Sequence, residues 1–189
     1  YGILPATLSQ PDVLQALRAV HKETGLRILV TLECYKGNRD VTKPGGDNKE
    51  AIMAADAASA RLLQGEEWVL GFDLCNEPDD EGWEFPGAVH TSSNSSMTLY
   101  DAYPLARNWS LVQDYLCGGW STTFYGCRGL QSPLNASQLP TPELRGIFSA
   151  RSAMWGEYLS WRKQAIKGVD PTRLLTVGNN ALFAVLPSN

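Results

Sequence analysis

Gly71-Phe72-Asp73-Leu74-Cys75-Asn76-Glu77-Pro78 joins an apolar run to an amide and a carboxylate, and then stops at a proline. With Trp68, Val69 and Leu70 before it, the run reads as a buried strand over residues 68–75. Such a strand delivers Asn76 and Glu77, adjacent in the chain, at its C-terminal tip. Pro78 has no backbone N–H with which to continue the ladder. As a bare tripeptide, Asn-Glu-Pro is only a turn, so its meaning depends on what flanks it.

Upstream, Ser9-Gln10-Pro11-Asp12 looks like a helix start with a capping Ser and an early Pro, and Gly25 ends that element. Val13, Leu14, Leu17 and Val20 recur at helical spacing between them. Residues 26–32, LRILVTL, are short, branched and largely apolar, the pattern of a strand buried on both faces. A polar loop follows, then Asp47-Asn48-Lys49-Glu50, which resembles a capping box opening an Ala-rich helix to about Gln64. Downstream of the strand, about 79–146 shows no sustained period and reads as a long loop insertion, the kind that is usually functional. A helix over about 148–167 and a strand over 173–177 complete the order. Strands alternating with helices imply parallel βαβ units. No G-x-G-x-x-G or G-K-[ST] follows any strand, so nucleotide-binding folds lose ground. Polar residues gather just after the strands' C-terminal ends, where (β/α)₈ barrels place their chemistry.

The bulk properties narrow the classes further. A chain of 189 residues, 43% hydrophobic and 19% charged, is long enough for one domain with its own core. A net charge of −4 with no basic stripe argues against a nucleic-acid partner. No apolar run reaches the ~20 residues of a membrane span. The first residue is Tyr1, so the chain is expected to begin inside a longer product or after processing. Cys117 and Cys127 bracket a short loop and are candidates for a disulfide, whereas Cys34 and Cys75, at the ends of apolar runs, read as buried free thiols. Sequons at Asn94, Asn108 and Asn135 lean toward an extracellular or secretory-pathway glycoprotein. His21 and His90 are far apart and the cysteines lack ligand spacing, so neither a metal nor a cofactor is expected. No G-x-S-x-G elbow supports a serine hydrolase.

A carboxyl at the mouth of a partly apolar barrel can have its pKa raised by desolvation and by a like-charged neighbour, and so can stay protonated until it meets a leaving oxygen. In that setting the quoted motif resembles the fourth-strand motif of clan A glycoside hydrolases, most like the cellulase and endo-mannanase type of family five. Phe72-Asp73-Leu74-Cys75-Asn76-Glu77-Pro78 carries the likeness. Residues 166–178, IKGVDPTRLLTVG, resemble that family's following helix end and fifth strand, and 26–32 its third strand. The resemblance implies a partial (β/α)₈ TIM barrel, about strands three to five, with the insertion after the fourth. It implies a retaining hydrolase of β-linked poly- or oligosaccharides, with Glu77 as acid/base and Asn76 as its substrate-binding neighbour. The family's nucleophile is a Glu on the seventh strand, beyond what this sequence covers, and the first two strands are also missing. The isolated chain is therefore expected to be an inactive, poorly folded fragment of the ~250 residues a barrel needs.

Further candidate substrate contacts are Glu33 at the tip of the first strand, Trp83 as an aromatic platform, and Asn179 after the third strand. A solvated carboxylate and a loop mini-core are the plainer alternatives for Glu33 and Trp83. Asp73, if buried, requires a partner such as Arg27 or a backbone donor. Two alternatives stand beside the enzyme: a non-catalytic carbohydrate-binding relative and a non-functional truncated product.

Overall fold

The structure, a computed structural model, describes residues 10–32, 48–76, 86–117 and 136–178. Helix α1 spans Pro11–Thr24. Gln10, not Ser9, is its N-cap and makes no side-chain cap bond; Ser9 lies outside the described residues. Pro11 fits the first turn because its missing N–H has no intrahelical partner to lose. Gly25 closes the helix at φ 71°, in the left-handed region, and its N–H bonds the His21 carbonyl at 2.7 Å.

Among the described residues, three parallel strands form a sheet in sequential order: β1 (Ile28–Thr31), β2 (Val69–Asn76) and β3 (Leu174–Gly178). Helix α2 (Lys49–Leu62) crosses from β1 to β2. Its cap is Asn48, whose Oδ1 accepts from Ala51 N at 3.0 Å. The box read from Asp47 to Glu50 is therefore displaced by one residue, and the Glu50 carboxylate instead accepts from Ser93 N at 2.7 Å. Helix α5 (Pro142–Lys167) crosses from β2 to β3. It begins well before residue 148, because Thr141 Oγ1 accepts from Leu144 N at 3.2 Å and Pro142 and Glu143 fill the first turn.

Register assigns the two sheet faces. Val30, Phe72 and Leu175 form one row, and they join Leu32 and Leu74 in a core with Ala60, Leu63 and Ile166 from the two crossovers. The helices α2 and α5 pack on each other over this face. The other face carries the rows Leu29–Gly71–Leu174 and Thr31–Asp73–Thr176. On it Leu29 is 39% and Leu174 51% exposed, so β1 is buried on one face and not, as its sequence implied, on both. A Cβ at Gly71 would sit 2.7 Å from Leu174 Cβ and closer still to the Leu174 carbonyl oxygen. Gly71→Ala is accordingly expected to lower stability by about 1–3 kcal/mol, read as a drop in the urea midpoint at unchanged slope.

The insertion is not a structureless loop. Among its described residues it folds as α3 (Leu99–Ala102), a 3₁₀ turn (Pro104–Asn108), α4 (Trp109–Cys117) and a second 3₁₀ turn (Ala136–Gln138). These pieces lie on the N-terminal part of α5. Val89, Leu99, Tyr100 and Ala106 meet Met154, Trp155 and Tyr158, while Trp109, Val112 and Leu139 meet Ile147 and Phe148. Each element is too short to show a period in a window of eleven or more residues, which is why the sequence reads as loop.

Among the described residues, three carboxylates are held below their ordinary range. Glu66 accepts from the Arg18 guanidinium, and from Trp68 Nε1 at 2.7 Å. Asp101 accepts from the Thr98 N–H at 2.8 Å and from its hydroxyl at 2.9 Å. Burial opposes ionisation of Asp170, but bonds from Arg173 Nε (2.9 Å) and the Thr172 hydroxyl (3.1 Å) outweigh it. A folded-state pKa below the unfolded one gives stability that is complete above the unfolded value and is lost as pH falls through the folded value. Melting temperature is thus expected to hold near neutrality and to fall below about pH 4. In a pH series of thermal melts, Asp170→Asn should flatten that acid limb.

Candidate functional site

The C-terminal tip of β2 carries the sequence-predicted chemistry, and its geometry departs from a plain strand. Asp73 pairs with Thr176, but the next pairing is Asn76 with Gly178. β2 thus contains one residue more than β3 across this step, a bulge at Leu74-Cys75. Alternation alone would put residue 75 in the row after Asp73. The extra residue instead sets the backbone of Asn76 opposite Gly178. Leu74 and Cys75 both enter the apolar packing instead, Leu74 with Phe72 and Ile166, and Cys75 with Ile52, Met154 and Trp155.

Asp73 is 4% exposed and, as expected of a buried carboxylate, it finds a backbone donor: Cys75 N lies 3.3 Å from its Oδ1. The Thr31 hydroxyl approaches Oδ2 at 3.4 Å from the neighbouring strand. The carboxylate therefore braces the bulge from the face opposite the two crossover helices.

A second brace comes from the helix side and was not read from the sequence. Arg162 of α5 is fully buried and Asp56 of α2 is 1% exposed. Arg162 Nε and Nη2 donate to Asp56 Oδ2 and Oδ1 at 2.7 and 2.8 Å, a bidentate pair. Its Nη1 donates to the Leu74 carbonyl, at the bulge itself. Burial pushes the Asp56 carboxyl up, against the opposing pull of Arg162. The signal was there: Asp56 falls on the buried stripe of Ile52, Ser59 and Ala60, and Arg162 on that of Trp155, Tyr158 and Ile166. Charges at core positions of two neighbouring helices imply a pair.

Of the sequence-predicted site residues, Asn76 is described as the last residue of β2 by its backbone. Glu77, Trp83, Asn179 and Glu33 lie outside the described residues, so the structure neither brings them together nor separates them. Cys75 corrects the thiol reading: it is disulfide-bonded. Cys34, Cys127 and the side chain of Cys117 lie outside the described residues.

Two insertion aromatics belong to a mini-core. Trp109 is 4% exposed, with Phe148 at a centroid distance of 5.9 Å and Arg151 over its ring at 5.1 Å; Tyr100 is buried beneath Arg107. Tyr103 donates its hydroxyl to Glu157 Oε2 at 2.7 Å, and that bond, with burial, pushes its pKa up to about 12. Among the described residues, no group of three or more His, Cys, Asp or Glu could hold a metal ion. No helix among them is long and apolar enough to cross a membrane.

No family model matches this chain, and neither does any curated protein or solved structure.

Proposed function

We propose that this chain is the central part of a (β/α)₈-barrel glycoside hydrolase acting on β-linked poly- or oligosaccharides with retention. The observation that carries the reading is the end of β2: a strand of a sequentially ordered parallel sheet bulges and ends at Asn76, which Glu77 follows in the sequence. Barrel enzymes take their catalytic residues from strand ends of this kind. Supporting it, α2 and α5 lie over the same sheet face, and the opposite face pairs an apolar row with a polar one. In a barrel that face lines the interior. A doubly wound sheet would reverse its order at the binding crevice.

In this reading Glu77 protonates the leaving oxygen and then activates water against a glycosyl-enzyme intermediate. Asn76 holds a sugar hydroxyl beside it. Trp83, Glu33 and Asn179 extend the subsite. The nucleophile is a Glu at the tip of a later strand, ~5–5.5 Å from Glu77. Exposed sequons at Asn94 and Asn108 fit passage through the secretory pathway.

The test is to sequence the parent transcript on both sides and to assay its full-length product on β-glucan and β-mannan. Further βα units with a Glu at a later strand tip, together with glycan cleavage, are expected. A parent without such a Glu that binds these glycans uncleaved would make it a carbohydrate-binding relative.

A further inference from the structure

Arg162 stands where the two crossover helices meet the irregular end of β2. Its guanidinium spends two donors on Asp56 and a third on the Leu74 carbonyl. That carbonyl belongs to the bulge, where the β2–β3 ladder skips a residue. A bulge is held in place only if its displaced backbone groups find other partners. Here the partner is a cation fixed at both forks. Arg162 is fully buried, Asp56 lies on α2, and the Tyr158 ring faces the guanidinium with its centroid 5.7 Å away.

We propose that Arg162 is a positioning residue for the reaction assigned above: by holding the Leu74 carbonyl it fixes the bulge, and with it the backbone register at Asn76, from which the chain continues into Glu77. The inference rests on the glycosidase reading. Its consequence is specific to the acid. If the bulge relaxes into regular register, the backbone at Asn76 loses its pairing with Gly178, and the point from which the chain runs on to Glu77 shifts. Misplacing a catalytic group by about 1 Å costs roughly 10²-fold in rate. The loss of acid catalysis falls on substrates whose leaving oxygen must be protonated, and spares those whose leaving group departs as a stable anion; a shift at Asn76 weakens both, so the excess loss on the first kind reads the acid.

The experiment uses the full-length protein and two variants, Asp56→Leu/Arg162→Met and Arg162→Lys. The double variant removes both buried charges together, so the core is not left with one of them unpaired. The single variant keeps one donor for the Leu74 carbonyl. Each is assayed on an unactivated β-1,4-linked oligosaccharide and on the 2,4-dinitrophenyl glycoside of the same sugar.

Expected for the double variant is a fall of roughly 10²-fold in kcat/KM for the oligosaccharide, with a distinctly smaller fall for the dinitrophenyl glycoside. Arg162→Lys is expected to show the same selectivity with part of the loss recovered. Equal losses on both substrates, or none on either, would overturn the positioning role. If the double variant does not fold, as judged by circular dichroism, Arg162→Lys alone decides by the same criterion. A wild-type protein that cleaves neither substrate would instead overturn the glycosidase reading, and the positioning role with it.

Discussion

Glu77→Gln in the full-length protein is expected to lower hydrolysis of an unactivated β-glycan by about 10²–10⁴-fold, the usual contribution of a positioned acid or base. Glutamine keeps the size and the hydrogen-bonding reach of glutamate but has no proton to give at neutral pH. Both half-reactions suffer, because the same group acts first as acid and then as base. The loss should appear chiefly in kcat, since the amide can still bind the substrate. Binding of a non-cleavable oligosaccharide should persist, and isothermal titration on the variant checks this. A variant that hydrolyses β-glycan at the parent rate would remove Glu77 from the mechanism.

The second large effect is on stability. Arg162→Met alone is expected to cost about 3–5 kcal/mol, because it leaves Asp56 buried without its cation. Asp56 is 1% exposed, so water cannot replace the two bonds it loses. The loss should also depend on pH. With Arg162 gone, nothing opposes the burial that already pushes the Asp56 carboxyl up, so its folded-state pKa lies above the unfolded one. A group raised in this way weakens the fold most above its folded-state pKa, and the penalty fades as pH falls from there toward the unfolded value. Adding Asp56→Leu should return most of the stability, since a buried pair replaced whole by apolar side chains of similar volume is often neutral or better. Urea unfolding of the single and double variants at pH 7 and pH 5 reads all of this. A single variant within about 1 kcal/mol of the parent would contradict the buried pair.

The strands and their order were legible because the apolar runs around Ile28, Phe72 and Leu175 are short, branched and bounded by turns. What those runs could not reveal is that only one face of β1 is covered. Leu29 and Val30 look alike in sequence and differ only in what packs on them. The insertion was illegible for a different reason. Its helices are held by contacts to Met154, Trp155 and Phe148 far along the chain, and not by a period of their own. The early start of α5 could have been read from Thr141-Pro142-Glu143, a cap signal overlooked beside the Gly- and Ser-rich loop.

At the candidate site, the motif itself was plain in the sequence, but the bulge was not. A bulge is a relation between two strands, and Leu74-Cys75 carries neither the Gly nor the Pro that would mark one. Cys75 illustrates the consequence. Strict alternation from Asp73 would put it on the uncovered face, whereas it lies in the helix-side core and is disulfide-bonded. Asp56 and Arg162 are not legible one at a time, because a single charge in a helix ordinarily marks its solvated side. Their stripes, taken together, place the two charges on the buried sides of both crossover helices.

The most direct measurement is proton NMR of a β-1,4-linked oligosaccharide during hydrolysis by the full-length protein, following the anomeric signals before mutarotation. Double displacement through Glu77 and a nucleophile ~5–5.5 Å away predicts that the β-anomer appears first. First appearance of the α-anomer, or a folded full-length protein that releases no sugar at all, would contradict the account.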